Sequence, residues 1–331
     1  MNRVLITGGG GFVGKAVLKL LRHEKIDCAI LGRSRYPELE SQNVVCYQGD
    51  ICDKKFVLAT AKGFDVVFHV AALAGIWGKS EHFYNINVVG TENIIEACKT
   101  NRIRALVYTS TPSVVFAGED IQNGDETLPY SEHFLCDYAR TKVIAEKSAL
   151  SVDQNIVKTC AIRPHLIWGP GDPHLIPRLI ERGKKRRLKI VGDGQNLVDI
   201  TYIDNVAAAL LLAAKNLLTT GSCGSKAYFI GQEQPVKLWE WINDLFEKLD
   251  IPPVEKRISL SAAYTAGRIL ETVHKLIIPN KEPIMTRFLA EQLAKSHYFS
   301  HKAAHSDFGY KPEVSIEEGM DRLLHWIKNR K

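Results

Sequence analysis

Tyr138-Ala139-Arg140-Thr141-Lys142 sets a phenol and an ammonium four residues apart, a spacing that on a helix puts both side chains on one face. A phenol with an ordinary pKa of about 10 is a weak acid–base group at neutral pH, and an adjacent ammonium favours the phenolate and brings its pKa toward the working range. Tyr108-Thr109-Ser110-Thr111-Pro112-Ser113 ends an apolar run in a cluster of hydroxyls. Open α/β sheets bind ligands beyond the carboxyl ends of their strands, where such a cluster would lie. There Thr111 can donate a hydrogen bond to a carbonyl oxygen, with Ser110 one residue away as the fallback. Proton transfer at a carbon–oxygen bond is the chemistry these three side chains suit.

Thr7-Gly8-Gly9-Gly10-Gly11-Phe12-Val13-Gly14 carries G-x-x-G-x-x-G at Gly8, Gly11 and Gly14, between an apolar strand and an amphipathic helix. Glycines let the backbone turn tightly and approach a pyrophosphate, whose charge is met by the helix N-terminus. This context predicts a dinucleotide site, with Phe12 and Val13 opening the helix. Where NAD-preferring folds place an acid to bond the ribose 2′-hydroxyl, this chain reads Leu31-Gly32-Arg33-Ser34-Arg35. Arg33 and Arg35 can clamp a 2′-phosphate, so NADP(H) is expected over NAD(H). Gly49-Asp50-Ile51 follows the third strand and is expected to present Asp50 to the adenine.

Something must hold these groups in place, and the first half supplies it by alternating short β-branched runs with helical-period stretches. Val4–Thr7, Cys28–Leu31, Val44–Tyr47, Val66–Val70, Ala105–Thr109 and Thr159–Ile162 read as strands; Phe12–His23, Tyr84–Lys99 and Tyr138–Leu150 read as helices. Such alternation predicts an α/β fold, a Rossmann-type doubly wound parallel sheet. Residues 1–163 form the expected NAD(P)-binding domain. Residues 164–331 form a smaller, mostly helical substrate region with some segments returning to the Rossmann core. Helices are expected there near Val206–Lys215, Val236–Leu249, Ser261–Ile277, Thr286–Ala294 and Ile316–Asn329.

With 45% hydrophobic and 24% charged residues in 331, the chain can build a sizeable core. A net charge of +6, with one short basic run at 184–189, argues against nucleic-acid binding. Seven scattered cysteines without a C-x-x-C pair suit a reducing compartment, and with no signal peptide or membrane-spanning run the expected location is cytoplasmic. His165 and His174 have no carboxylate or cysteine at ligand spacing, so no metal is expected.

Over nearly its whole length the sequence resembles the extended short-chain dehydrogenase/reductases. The resemblance rests on the glycine motif, Gly49-Asp50, His69-Val70-Ala71-Ala72, Asn87-Val88-Val89-Gly90-Thr91, the hydroxyl cluster and Tyr138/Lys142, in order and spacing. It implies Tyr138 as proton donor and acceptor, Lys142 lowering its pKa and holding the nicotinamide ribose, and Thr111 orienting the carbonyl. Ala71, Ala72, Asn87 and Pro164 are implied as further cofactor contacts. Downstream stretches, among them Arg163-Pro164-His165-Leu166-Ile167-Trp168-Gly169 and Asn196-Leu197-Val198-Asp199, look like the 3β-hydroxysteroid dehydrogenase branch. That branch includes sterol-4α-carboxylate dehydrogenases and bacterial 2-alkyl-3-oxoalkanoate reductases. Nucleotide-sugar relatives usually carry an arginine where Val198 stands.

Apolar loops after strands four, five and six supply Trp77, Val115, Phe116, His165 and Trp168, and Tyr202 follows; together they predict a pocket for a small hydrophobic substrate. The expected activity is NADP(H)-dependent interconversion of a secondary alcohol and a ketone on a bulky apolar molecule. Two rival readings are a nucleotide-sugar epimerase or dehydratase and a dinucleotide-binding protein without turnover. Ser261–Ile278 is amphipathic; packing is the favoured reading of its apolar residues, over a membrane surface. A second copy of the chain is a candidate partner.

Overall fold

A computed structural model describes residues 1–329. Seven strands build the central sheet: β1 (Arg3–Thr7), β2 (Asp27–Gly32), β3 (Val45–Gln48), β4 (Val66–His69), β5 (Ala105–Thr109), β6 (Lys158–Pro164) and β7 (Ala227–Ile230). Their order is β7-β6-β5-β4-β1-β2-β3, every pair parallel. The chain reverses direction across the sheet between β1 and β4, which opens a crevice at their carboxyl ends.

Successive strand residues point to opposite faces, and both faces are covered. Val4, Ile6, Phe68 and Val107 pack against Val17 and Leu21 of the Phe12–His23 helix and Val206 and Leu210 of the Ile203–Leu218 helix. Leu5, Leu31, Val67 and Leu106 face Val57, Ile94, Cys98 and Ala145. The helix expected over Tyr84–Lys99 is three pieces: Ser80–Tyr84, a π-helical turn Asn85–Val89, and Gly90–Thr100. Such a turn widens the helix by one residue and often marks a functional position.

Beyond β6 the chain makes a second core around Trp168, Tyr202, Trp239, Trp241 and Leu323, while Ile203–Leu218 packs on the central sheet and β7 joins it. The region is mostly helical, and a small four-stranded sheet that the sequence did not signal joins Val236–Lys237, Leu197–Val198, His297–Phe299 and Ile121–Gly124. Strands of two to four residues are too short to show a period of two in sequence. Among the described residues no helix is long and apolar enough to cross a membrane.

Candidate active site

A cavity of about 450 Å³ occupies the crevice, lined by Gly8, Gly11, Phe12, Val13, Gly14, Arg33, Asp50, Ile51, Ala71 and Ala72, ten of the expected cofactor residues. Gly8 has φ +68°, and a Cβ there would lie 2.9 Å from the Ala71 backbone; only glycine turns the chain this close to β4. At Gly14 a Cβ would stand 2.2 Å from the Gly8 carbonyl oxygen, so the helix starts pressed against the loop. No side chain caps that helix and no acid occupies its first turn, leaving its positive end open to an anion. Glycine wall, uncapped N-terminus and cavity fit a dinucleotide.

Arg33 lines the exposed mouth. Arg35 does not: it points away to Glu40, 3.5 Å distant, so the expected two-arginine clamp reduces to one arginine. Ser34, Tyr36, Asp172 and Leu175, none of them expected at the cofactor, also line the cavity, as does His174, weighed in sequence only as a metal ligand. Tyr36 closes over the loop so tightly that a Cβ at Gly10 would meet its ring at 2.0 Å. The Asp172 carboxylate accepts from the backbone N–H of His174, Leu175 and Ile176, fixing the outer wall. Leu166, in the left-handed region at φ +39°, bends the chain after β6 so that Ile167 reaches the cavity.

A buried relay ties these walls together. The Ala71 N–H donates to Thr7 Oγ1 at 3.2 Å, and Thr7 Oγ1 meets His69 Nδ1 at 2.7 Å. His69 Nε2 meets Thr91 Oγ1 at 2.9 Å, and that hydroxyl donates to the Asn87 carbonyl. Donor arithmetic assigns the His69 proton to Nε2. Burial pushes its pKa down to about 3, with the Lys142 charge adding to the effect, so the ring is neutral. Asn87, expected at the cofactor, sits in the π-helical turn and holds Leu73 by both backbone groups, the N–H at 2.7 Å and the carbonyl at 3.2 Å, and Thr141 Oγ1 at 3.1 Å. It clamps the loop after β4 to the Tyr138 helix and does not line the cavity.

That helix, Asp137–Leu150, brings Tyr138 and Lys142 to the end of β5. Burial pushes the Tyr138 phenol up to about 12, and the Thr111 hydroxyl, hydrogen-bonded to it, opposes the rise. Lys142 is buried; Nζ donates to the Thr109 carbonyl at 2.6 Å and lies 4.1 Å from the centre of the Tyr108 ring. Burial lowers its pKa to about 7, against the pull of the Glu146 carboxylate. The lowering of the Tyr138 pKa by Lys142 expected from their spacing is not what opposes burial here; the Thr111 hydroxyl is. Pro164 is buried at the end of β6.

Thr111 also caps the 3-10 turn Pro112–Val114 by accepting from the Ser113 N–H. The Ser110 hydroxyl is buried without a partner. We expect Thr111→Val, which keeps the shape and removes the donor, to lower kcat about 10²-fold, the usual cost of one carbonyl-orienting donor. Ser110→Ala should cost far less, and a larger loss in Ser110→Ala than in Thr111→Val would move the role by one residue.

Two smaller clefts flank the Cys136–Ala139 segment. One, about 150 Å³, is lined by Trp77, Leu135 and Cys136; the other, about 210 Å³, by Phe116, Leu135 and Phe288. Val115 is packed beneath with Val114 and Phe229. Trp168 and Tyr202, expected on a pocket wall, are core residues: their rings meet edge to face at 5.3 Å, and Trp168 is fully buried. His165 is also buried, its Nε2 2.6 Å from His297 Nδ1, and burial holds both rings below the ordinary histidine range. Val198 is fully buried, paired with Val236 and His297, and offers no cation to a diphosphate.

A model of the 3-beta hydroxysteroid dehydrogenase/isomerase family matches residues 5–261. A 2-alkyl-3-oxoalkanoate reductase of Shewanella oneidensis is 47% identical over 331 residues, covering 98% of this chain and 86% of that protein. The decarboxylating sterol-4-alpha-carboxylate 3-dehydrogenase of Mus musculus is 32% identical over 329 residues, covering 98% of this chain and 90% of that protein. Among solved structures, the UDP-glucuronic acid 4-epimerase of Bacillus cereus in complex with NAD matches with a TM-score of 0.74 at 21% identity, over 99% of each chain. The last is a likeness of fold alone. Because the family match runs unbroken through the glycine loop, the end of β5 and the Tyr138 helix, the chain belongs to the 3-beta hydroxysteroid dehydrogenase/isomerase family, NAD(P)-dependent oxidoreductases of the short-chain type acting on CH–OH groups.

Proposed function

We propose that the protein interconverts a secondary alcohol and a ketone on a bulky apolar substrate, a 2-alkyl-3-oxoacid or a 3β-hydroxysteroid, with NADP(H) preferred over NAD(H). The observation that carries this reading is the meeting of half-buried Tyr138 with the Thr111 hydroxyl, one helical turn from Lys142, whose ammonium donates to the Thr109 carbonyl at the end of β5. A bound nicotinamide supplies or accepts the hydride. Thr111 orients the carbonyl oxygen, and Tyr138 Oη delivers its proton to that oxygen or takes it back. A phenol held protonated by burial suits the donor role. Lys142, charged below about pH 7 in the free protein, contributes the positive field.

Arg33 at the cavity mouth and the absence of an acid at the end of β2 support the NADP(H) preference. The names of the relatives and the buried Val198, which leaves no cation at that position for a diphosphate, support an apolar substrate over a sugar diphosphate. The test is NADPH oxidation against 2-alkyl-3-oxoacids of graded length, steroid ketones and UDP-sugars. We expect KM to fall as the apolar portion grows, each buried methylene contributing about 0.8 kcal/mol. Arg33→Ala should erase the preference for NADPH. Competitive inhibition by UDP, or rates indifferent to apolar size, would return the epimerase to first place.

A further inference from the structure

The helix Leu260–Ile277 carries two apolar faces, only one of which the fold uses. At 100° per residue, Ala263, Gly267 and Glu271 share the inward face. All three are buried against the Thr286–Ala294 segment: a Cβ at Gly267 would lie 2.6 Å from the Thr286 carbonyl carbon, and the Glu271 carboxylate accepts from the Arg287 N–H at 2.7 Å and from Arg287 Nε at 2.8 Å. Ile269, Val273, Leu276 and Ile277 follow one another at i, i+4, i+7 and i+8, on the opposite side. Leu276 is 80% exposed, Ile277 72% and Ile269 58%, and the run continues past the helix end through Ile278 to Ile284, itself 70% exposed. The stripe is therefore an outward surface and not the packing face that the amphipathic pattern suggested.

Its tip is a built turn. His274 Nδ1 lies 2.6 Å from the Lys281 carbonyl, and Trp77 Nε1 donates to the Pro279 carbonyl at 2.9 Å. The acids of the segment are engaged, Glu271 by Arg287 and Glu282 by Arg178. The charges left facing solvent from this hairpin, among the described residues, are the cations Arg268, Lys275 and Lys281. Lys275 and Pro279 also line the 150 Å³ cleft that runs in beside Cys136 and Asp137, next to Tyr138.

We propose that the hairpin 268–284 docks the enzyme on an anionic lipid surface, with Ile269, Val273, Leu276, Ile277, Ile278 and Ile284 seated among the acyl chains and Arg268, Lys275 and Lys281 against the headgroups. An apolar stripe edged by unpaired cations is the pattern of an interfacial helix. Docked this way, the mouth of the cleft beside Tyr138 opens at the lipid boundary, where apolar molecules partition. A second copy of this chain would have to bring a face of matching negative charge, which this basic edge does not offer to itself.

The experiment is co-sedimentation of the full-length protein with vesicles of phosphatidylcholine containing one third phosphatidylglycerol, against vesicles of phosphatidylcholine alone. We expect binding to the anionic vesicles that weakens as salt is added. Leu276→Ser with Ile277→Ser, both at exposed positions that should not disturb folding, should lower the partition at least about tenfold. Lys275→Gln and Lys281→Gln should each lower it about fivefold. Absence of sedimentation, or sedimentation unchanged in the serine double variant, would overturn the proposal. So would concentration-dependent self-association that the serine variant abolishes, which assigns the stripe to a second copy. Sedimentation does not depend on turnover, so its failure leaves the proposed reaction standing.

Discussion

Tyr138→Phe is expected to lower kcat by about 10³-fold or more while leaving cofactor affinity within about twofold. The substitution removes one oxygen and keeps the ring that fills the start of the Asp137–Leu150 helix. What it removes is the proton that the carbonyl oxygen must receive. Burial has set that phenol at about 12, so the free enzyme holds it protonated across the physiological range. Lys142→Ala should harm turnover and cofactor binding together, because its ammonium meets the Thr109 carbonyl and the Tyr108 ring at the inner edge of the site. Burial has depressed its pKa to about 7, so its charge is present below that pH and is lost above it. Cofactor affinity of the free enzyme should therefore weaken as pH rises through neutrality, and Lys142→Ala should flatten that dependence. Near-normal rates in Tyr138→Phe would refute the assignment, whatever the pH profile shows.

The glycine loop, the strands and the Tyr138–Lys142 pair were legible because each is written in local sequence: apolar runs of four to six residues, a fixed glycine spacing, and a helical step of four. What could not be read depends on which partner a side chain finds. Arg33 and Arg35 look equivalent in the chain, and only the fold shows Glu40 drawing Arg35 away. Trp168 and Tyr202 sit in loops whose neighbours suggested a pocket, yet Trp241 and the residues after 314 arrive from distant segments to bury them. Asn87 carries the family's polar residue type, but its side chain serves loop geometry. The Leu260–Ile277 helix shows the deeper limit of periodicity. Its conspicuous leucines and isoleucines mark an amphipathic face, while the face that packs is made of Ala263 and Gly267, small residues that let Thr286 and Arg287 approach. Hydrophobicity located a stripe but not the direction it points.

The buried pair behind the site should give the largest stability effect in the molecule. Glu146 lies one helical turn beyond Lys142, with its side chain fully buried, and Arg163 on β6 is 4% exposed. Arg163 Nη2 reaches Glu146 Oε1 at 2.5 Å and Nε reaches Oε2 at 3.0 Å, while the Tyr130 hydroxyl donates to Oε1 at 2.7 Å. Arg163 Nη1 has no partner. Removing one member of such a pair leaves an uncompensated buried charge, so Glu146→Ala should cost about 3–5 kcal/mol, a fall in Tm of about 4–7 °C for a chain of this length. Replacing both, as Glu146→Leu with Arg163→Met, should recover most of that loss, because apolar pairs of similar volume are often as stable as the ions they replace. Activity should not recover with it. The Glu146 carboxylate is the group that opposes the loss of charge on buried Lys142. Without it the ammonium deprotonates at lower pH, and the alkaline limb of kcat/KM should move toward acid by about one pH unit. A double variant as stable as the wild type, with an unshifted limb, would show that Glu146 and Arg163 act in folding alone.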